Sequence, residues 1–392
     1  MSAIIAGYAR TPFARFTGQF AAVAATRLGA HAIRAALERA GIATEDVDRV
    51  LAGQVLQGGA GQNPARQSAV AAGIPLTTPA MTLNAVCLSG MEAVSDGASL
   101  IEAGRADIVV ALGQESMSLA PHATAARAGT RYGAIELVDT LEHDGLTDAF
   151  EQRSMGASTE AGNADLGIGR EAQDAWAADS HARAAASADF LAGEIEPFVI
   201  ESRRGATTVT ADDGVRADTD AATLGSLPPA FSPDGTITAG NSSQITDGAA
   251  ALVLVSPAYA RLHGIAGIAA IEATALVAGP DVRLHSQPAN AIRAALDRLG
   301  ERPDALAALE INEAFASVVL RSIDELGVDA ELVNAHGGAI ALGHPIGASG
   351  ARIVGTLARR LAAIDSGSLG AAGICGGGGQ GSAIVLRAAS TA

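Results

Sequence analysis

The sequence predicts an α/β protein with a largely parallel sheet, built twice along the chain. Three observations carry this. Short apolar runs alternate with stretches of helical periodicity, the pattern of strand–helix units on a parallel sheet. Residues 30–41, AHAIRAALERAG, recur as ANAIRAALDRLG at 289–300, with the following elements in the same order. No apolar stretch approaches the ~18 residues that would span a membrane.

The elements follow in order. Residues 3–9 are a strand, followed by a polar turn with Pro12 and Gly18. Residues 21–40 form a helix closed by Gly41, a C-cap residue free to turn left-handed. Residues 47–54 are the second strand, and 58–61 a glycine-containing loop. Asn63-Pro64 then opens a helix with Pro in its first turn. Residues 80–83 are a buried strand, 90–103 a helix, and 108–112 a fourth strand. In the second copy a strand at 308–311 follows the repeated helix, and Val333-Asn334-Ala335 answers Leu83-Asn84-Ala85 at a strand end. A pseudo-twofold relating the halves brings both strand ends to one place, where ligands bind in open α/β sheets.

Residues 120–246 do not fit this alternation. They hold a hairpin candidate at 131–141 (Tyr132, Ile135, Leu137, Val138), an acidic and polar run at 142–151 and an Ala-rich helix at 171–190 carrying Trp176, the only tryptophan. A charged, turn-rich segment follows at 202–221. An insertion of this length is expected to form its own subdomain or lid. The apolar strand at 247–256 returns the chain to the core.

Composition narrows the function classes. The chain has 392 residues, enough for two or three domains, and 48% hydrophobic residues, typical of a globular protein. A net charge of −16 without a basic run argues against nucleic acid and membrane surfaces as partners. All 26 basic residues are Arg, so an anionic ligand must be held by Arg, backbone amides or helix termini. Two distant cysteines make no disulfide framework, and the N-terminus lacks a signal-peptide pattern. A reducing cytoplasm is the expected location.

Four stretches carry chemistry. Cys87 lies between the strand at 80–83 and the next helix, where unpaired amides and the helix dipole are expected to lower a thiol pKa and favour a nucleophilic thiolate. His344 sits in the Gly-rich run 337–350, which Pro345 stiffens, as a base held near a nucleophile would be. Cys375 ends a strand at 369–374 and precedes four glycines. No P-loop Lys follows, so their amides fit an oxyanion better than a nucleotide phosphate. Asn312-Glu313 follows a strand. Asn312 is a candidate to orient a water, Glu313 to fix a histidine, and taken alone the pair reads rather as an ordinary helix cap. Buried structural cysteines compete with the catalytic reading, while metal-ligand spacing is absent.

Together, residues 83–90, 312–316, 334–350 and 373–381 resemble the motif blocks of the thiolase family. Residues 9–13, 62–66 and 239–250 resemble it too, so the likeness runs from residue 3 to 386. It implies the duplicated, five-layer αβαβα fold. One half is 1–119, completed by about 247–266; a loop domain is 120–246; the second half is 267–392. It implies an acyltransferase that makes or cleaves 3-ketoacyl-CoA, with coenzyme A and acyl-CoA as substrates and no further cofactor or metal.

The resemblance also assigns roles. Cys87 accepts the acyl group, His344 deprotonates it, and Cys375 moves the α-proton of the second acyl-CoA. The amides of Cys87 and Gly377 form one oxyanion hole; His344 and a water held by Asn312 form the other. Ser243, Arg216, Met155 and Phe315 are the expected coenzyme A contacts. The run GQESMSLAPH, ending at His122, and the hairpin after it are similar to the acetyl-CoA acetyltransferase branch. That likeness implies a homotetramer, otherwise a homodimer. Ser154, where short-chain members often carry His, and the run 226–229, which lacks the usual basic residues, leave a longer-chain degradative thiolase as the alternative. A non-catalytic CoA-binding or lipid-binding relative is the reading from another class, opposed by the intact Cys87, His344 and Cys375. A decarboxylating synthase is opposed by Cys375.

Overall fold

A computed structural model describes residues 2–129, 132–203 and 205–389. Its central feature is a continuous sheet whose two ends mirror each other. The N-terminal half contributes β1 (Ile4–Arg10), β2 (Arg49–Gly53), β3 (Ala80–Leu83), β4 (Ile108–Glu115) and β5 (Thr246–Val255). The C-terminal half contributes β6 (Ala269–Ala278), β7 (Leu306–Ile311), β8 (Leu369–Gly376) and β9 (Gln380–Ala388). The spatial order is β3-β2-β4-β5-β1-β6-β9-β8-β7.

The duplication expected from the repeated helix is visible strand by strand. In the first half β2 pairs parallel with β3 and β4, and β5 runs antiparallel between β4 and β1. In the second half β7 pairs parallel with β8, a parallel bridge joins Leu309 to Val333, and β9 runs antiparallel between β8 and β6. The halves meet where Ile4 and Ile5 pair with Ala270 and Ala269.

Each half carries equivalent helices. They are α1 (Ala25–Ala40), α2 (Pro64–Ala71) and α3 (Ser89–Glu102), then α6 (Gln287–Asp297), α7 (Ala316–Leu326) and α8 (Ser349–Leu361). The insertion adds α4 (Met155–Leu166) and α5 (Arg170–Ala186). Alternate residues of β4 face opposite cores: Val110 and Leu112 pack with Leu28 and Ile33 of α1, while Val109 and Ala111 pack with α3 and α8. Strands buried on both faces read as continuous apolar runs, which is why the sequence showed no alternation there. α6 and α7 bury Ile292, Leu296 and Val319 on the outer face of the second half. Helix, half-sheet, paired central helices, half-sheet and helix give the five layers.

The central helices approach more closely than side chains allow. A Cβ on Gly90 would lie 2.7 Å from the Gly347 carbonyl oxygen, and one on Gly350 would lie 2.4 Å from the Met91 amide nitrogen. Glycine is required at both positions, and the contact sets the turns before α3 and α8 side by side.

Several local expectations shift. The first helix begins at Ala25 rather than residue 21, because the chain turns through 17–22 to bury Phe20 and Val23. The strand expected to stop at 112 continues to Glu115. The helix expected at 171–190 breaks at Ser187, with a short helix Ala188–Ala192 after it. The expected hairpin at 131–141 is not formed within that segment. Val138 and Asp139 instead pair back to Ala123 and His122, leaving Tyr132, Ile135 and Leu137 exposed. Arg131 lies outside the described residues, as do Met1 and residues 390–392 at the ends of the expected halves. Phe198–Ser202 and Gly205–Val209 form a hairpin that the charged composition there hid.

The insertion is tied down by charge. Buried Arg10, at the end of β1, donates to Asp212 at 2.7 and 2.8 Å and to Glu194 at 2.9 Å. An unpaired buried guanidinium would cost several kcal/mol, so this three-way pairing fixes the insertion to the sheet. Among the described residues no helix is long and apolar enough to cross a membrane.

Candidate active site

The turn from β3 into α3 has to place a side chain against the helix end. Val86 adopts φ 52°, a conformation a β-branched residue rarely takes. Its neighbours hold it there. The Asn84 side chain accepts from the Val86 amide at 3.0 Å, and the Ser89 hydroxyl donates to the Val86 carbonyl at 2.6 Å while accepting from the Ala85 amide at 2.9 Å. Cys87 follows, partly exposed, with its own amide and that of Gly377 directed at its sulfur. Gly377 lies two residues beyond Cys375, which is buried at the end of β8 and close enough to be influenced by Cys87. Two sulfurs from opposite halves therefore converge.

The thiol environment corrects the sequence expectation. Although Cys87 is partly exposed, the protein packed around its sulfur pushes its pKa above the ordinary thiol range; the two amides oppose this, and the Glu115 carboxylate adds to it. Desolvation thus outweighs the helix end. Burial pushes Cys375 up as well. Both rest as thiols.

His344 lies before α8, in the place matching Cys87 before α3. Its amide donates to the Gln244 carbonyl at 3.0 Å, and its Nδ1 is 2.5 Å from the Ser349 hydroxyl. Because that hydroxyl donates to the Pro345 carbonyl at 3.1 Å, it accepts from Nδ1–H. Nε2 is then left unprotonated. The Asn312 side-chain amide stands 3.5 Å from Nε2, at the limit of a hydrogen bond, and its Oδ1 has no partner among the described residues. Burial, with the Arg352 charge adding to it, drives the His344 pKa well below the ordinary imidazole range. The imidazole is neutral and able to accept a proton.

Glu313 does not fix a histidine, and Asn312-Glu313 does not cap a helix. α7 begins at Ala316 with Phe315 at its N-cap. Instead the buried Glu313 carboxylate accepts from Trp176 Nε1 at 3.0 Å, Ser180 at 2.8 Å, Asn334 at 3.0 Å and the Ile340 amide at 2.9 Å. It ties α5 of the insertion to the loop that leads to His344.

His344 opens into a cleft of about 590 Å³. Met155, Ser243, Arg216 and Phe315, the four residues expected to contact coenzyme A, line it with Ser154, Met117, Phe231 and Ile346. The lining is mostly apolar with polar groups at few points, as ligand sites are. Arg216 is exposed at this cleft and its guanidinium has no acidic partner among the described residues. The Ser243 hydroxyl donates to the Ala314 carbonyl at 3.1 Å. A nucleophile, a neutral base, a second thiol and inward-facing amides together suit acyl transfer and proton abstraction beside a carbonyl.

Sequence reasoning missed Ser349, Gln244 and Glu115. Ser349 was findable as a hydroxyl five residues beyond the histidine, at a helix start. Glu115 was findable as an acid ending an otherwise apolar strand. Gln244, which acts through its backbone carbonyl, left no signal.

Comparison with known proteins bears on this geometry. Residues 3–258 match the family model described as thiolase, N-terminal domain, and residues 265–388 that described as thiolase, C-terminal domain. A probable acetyl-CoA acetyltransferase of Mycolicibacterium smegmatis is 51% identical over 98% of this chain and 100% of its own length. An acetyl-CoA acetyltransferase of Chromobacterium violaceum is 46% identical over 99% and 100%. Among solved structures, the Acat5 thiolase from Ascaris suum in complex with coenzyme A has a TM-score of 0.92 at 38% identity, over 99% of this chain and 100% of that one.

Proposed function

The chain belongs to the thiolase family, and we propose that it is an acetyl-CoA C-acetyltransferase working through an acyl-enzyme on Cys87. The supporting observation is the pair of amides, Cys87 and Gly377, directed at the Cys87 sulfur, with Cys375 two residues from Gly377. Amides there meet the oxygen of a tetrahedral adduct formed at that sulfur.

The chemistry divides into two steps. The Cys87 sulfur attacks the thioester carbon of one acetyl-CoA while His344 Nε2 takes the thiol proton. The adduct collapses, coenzyme A leaves with that proton, and acetyl remains on Cys87. Cys375 then passes its thiol proton to His344 Nε2, and a second acetyl-CoA loses an α-proton to the resulting Cys375 thiolate. Its enolate oxygen is held by Nε2–H of a protonated His344 and by a water on Asn312. The α-carbon attacks the acetyl carbon, and Cys87 leaves as a thiolate that recovers the proton from His344, while the α-proton stays on Cys375. Run backwards with coenzyme A, the same steps cleave a 3-ketoacyl-CoA. Neutral resting groups suit both directions, since each charge arises only where a donor waits for it.

Ser243, Met155, Phe315 and Arg216 are the proposed coenzyme A contacts, Arg216 meeting a phosphate. No cofactor beyond the CoA substrates enters this chemistry. We read residues 1–119 with 247–266, 120–246 and 267–392 as the two catalytic halves and the CoA-binding insertion, in a cytoplasmic homotetramer. The exposed Tyr132, Ile135 and Leu137 favour association through that arm. Longer acyl chains are a second reading, favoured by the small Ser154 in the cleft wall.

Incubation with acetyl-CoA followed by peptide mass spectrometry tests the central claim. Acetyl is expected on Cys87, and Cys375→Ser is expected to acetylate yet fail to condense. Acetyl found elsewhere, or none, removes the assignment.

A further inference from the structure

Glu115, the last residue of β4, is fully buried and takes no part in the steps above. Its Oε2 accepts from the Val55 amide at 3.0 Å and from the Gly347 amide at 3.0 Å, while Oε1 accepts from the Leu56 amide at 3.2 Å. Val55 and Leu56 belong to the loop after β2 in the Cys87 half. Gly347 comes from the other half, three residues beyond His344. One carboxylate therefore spans the seam between the half that carries Cys87 and the half that carries His344. The fit is tight: a Cβ on Gly347 would lie 2.7 Å from Glu115 Oε2, 2.8 Å from the Gln114 carbonyl and 2.9 Å from Gln54 Cα. One strand residue earlier, a Cβ on Gly113 would lie 2.5 Å from the Gly347 carbonyl oxygen. The His344 loop is seated on the end of β4, and Glu115 is the only charged group holding it there among the described residues.

Resting on the acyltransferase reading, we propose that ionised Glu115 is a positioning residue that docks the His344 loop against the Cys87 half, and that its protonation undocks the imidazole from the thiol. Three N–H donors converge on two oxygens that an ionised carboxylate fills as acceptor. A protonated carboxyl brings a donor of its own into this set and loses the charge that strengthens its acceptors, so its hold on the three amides weakens in a site closed to water. The Gly347 amide is the contact that crosses the seam. The groups facing Glu115 leave it poised to change state. Burial raises its pKa to about 7, the three amides oppose this, and Asp247 on the adjoining β5 adds to the rise. Cys87, on the turn before α3, is influenced by its charge. The β2 loop offers amides only, and the loop before α8 offers the Gly347 amide and, beyond it, His344.

The experiment is single-turnover acetylation of Cys87 from pH 5.5 to 9, using acetyl-pantetheine so that no substrate phosphate titrates. Wild type is expected to lose rate about tenfold per unit below pH 7. His344 titrates far lower and cannot produce that limb. Glu115→Gln, which keeps the shape but turns a donor toward the amides, is expected to be about 100-fold slower at pH 8 and flat between pH 6 and 8. A wild-type rate without an inflection between pH 6 and 8, or a Gln variant within threefold of wild type, overturns the proposal. If the variant does not fold, the wild-type profile alone decides. Acetylation by acetyl-CoA at pH 8 separates the two levels: its failure sinks the acyltransferase reading, whereas its success with a flat profile sinks Glu115 alone.

Discussion

Cys87 and His344 occupy matching places in the two halves, each on the turn that enters a central helix, yet the halves arrive there differently. In the N-terminal half the edge is a true strand, β3, in register with β2 from Ala80 to Leu83. In the C-terminal half it shrinks to a single bridge at Val333, and the chain reaches α8 through a longer glycine-rich loop. The short route puts Cys87 on a strained turn at Val86, whereas the long route lets His344 cross from one half toward the other. Duplication supplied two equivalent strand ends. Divergence left one a short, strained turn that ends on a cysteine and the other a long, glycine-rich loop that holds a histidine.

The largest test of this division removes the base. His344→Ala keeps the Cys87 turn intact, so the protein is expected to fold with kcat lowered by about 10³-fold, near 4 kcal/mol of barrier. Stopped-flow thiolysis of acetoacetyl-CoA reads this. A variant within tenfold of wild type would mean that the long loop does not carry the base.

The two regions also differ in how their buried groups titrate. Cys87 and Glu115 are pushed up, while His344 falls, and His181 and His285 fall to about 4. For His285 the cause is burial, reinforced by Arg283 and Arg321. A histidine whose folded pKa is depressed keeps its full stability above the unfolded value near 6.5 and loses it as pH falls toward the folded value. Acid destabilisation should thus begin below pH 6.5, above the carboxylate range. At pH 5 buried His285 accounts for about 2 kcal/mol of that loss. Urea melts at pH 5 and pH 7 should show the gap shrinking by this amount in His285→Gln, and an unchanged gap would place the acid sensitivity elsewhere.

Most of the scaffold was legible in the sequence, for identifiable reasons. Buried strands such as residues 108–112 announce themselves because both faces are apolar, and Gly41 marks a helix end because a left-handed cap needs it. The repeated helix carried the duplication across a chain whose halves otherwise differ. The thiol environment was misread because a helix end is a local feature, whereas desolvation of Cys87 comes from segments distant in sequence. Glu313 was misread similarly: its partners, Trp176, Ser180, Asn334 and Ile340, lie on segments that only the folded chain assembles. The hairpin at 131–141 failed because apolar residues spaced like a strand still need an adjacent partner, and Val138 found its partner at Ala123.

The smallest effect concerns the cleft mouth, where the insertion meets the halves. With no lysine in the chain, a phosphate arriving there must be met by Arg or by amides. Among the described residues two arginines line the cleft. Arg15 lies 3.5 Å from Asp213, so part of its charge is already answered, whereas Arg216 has no acidic partner among the described residues. On the proposed reading the charge-assisted bond to a phosphate falls to Arg216, and at an exposed site such a contact contributes about 1–1.5 kcal/mol. Arg216→Ala should raise KM for coenzyme A about tenfold and leave kcat within twofold, because the phosphate is far from the reacting carbons and the lost binding is the same in ground and transition states. The loss should shrink at high salt, and Arg15→Ala should cost less. If kcat falls instead and KM holds, Arg216 acts on the shape of the cleft rather than on the ligand, and the assignment of the mouth to the insertion fails with it.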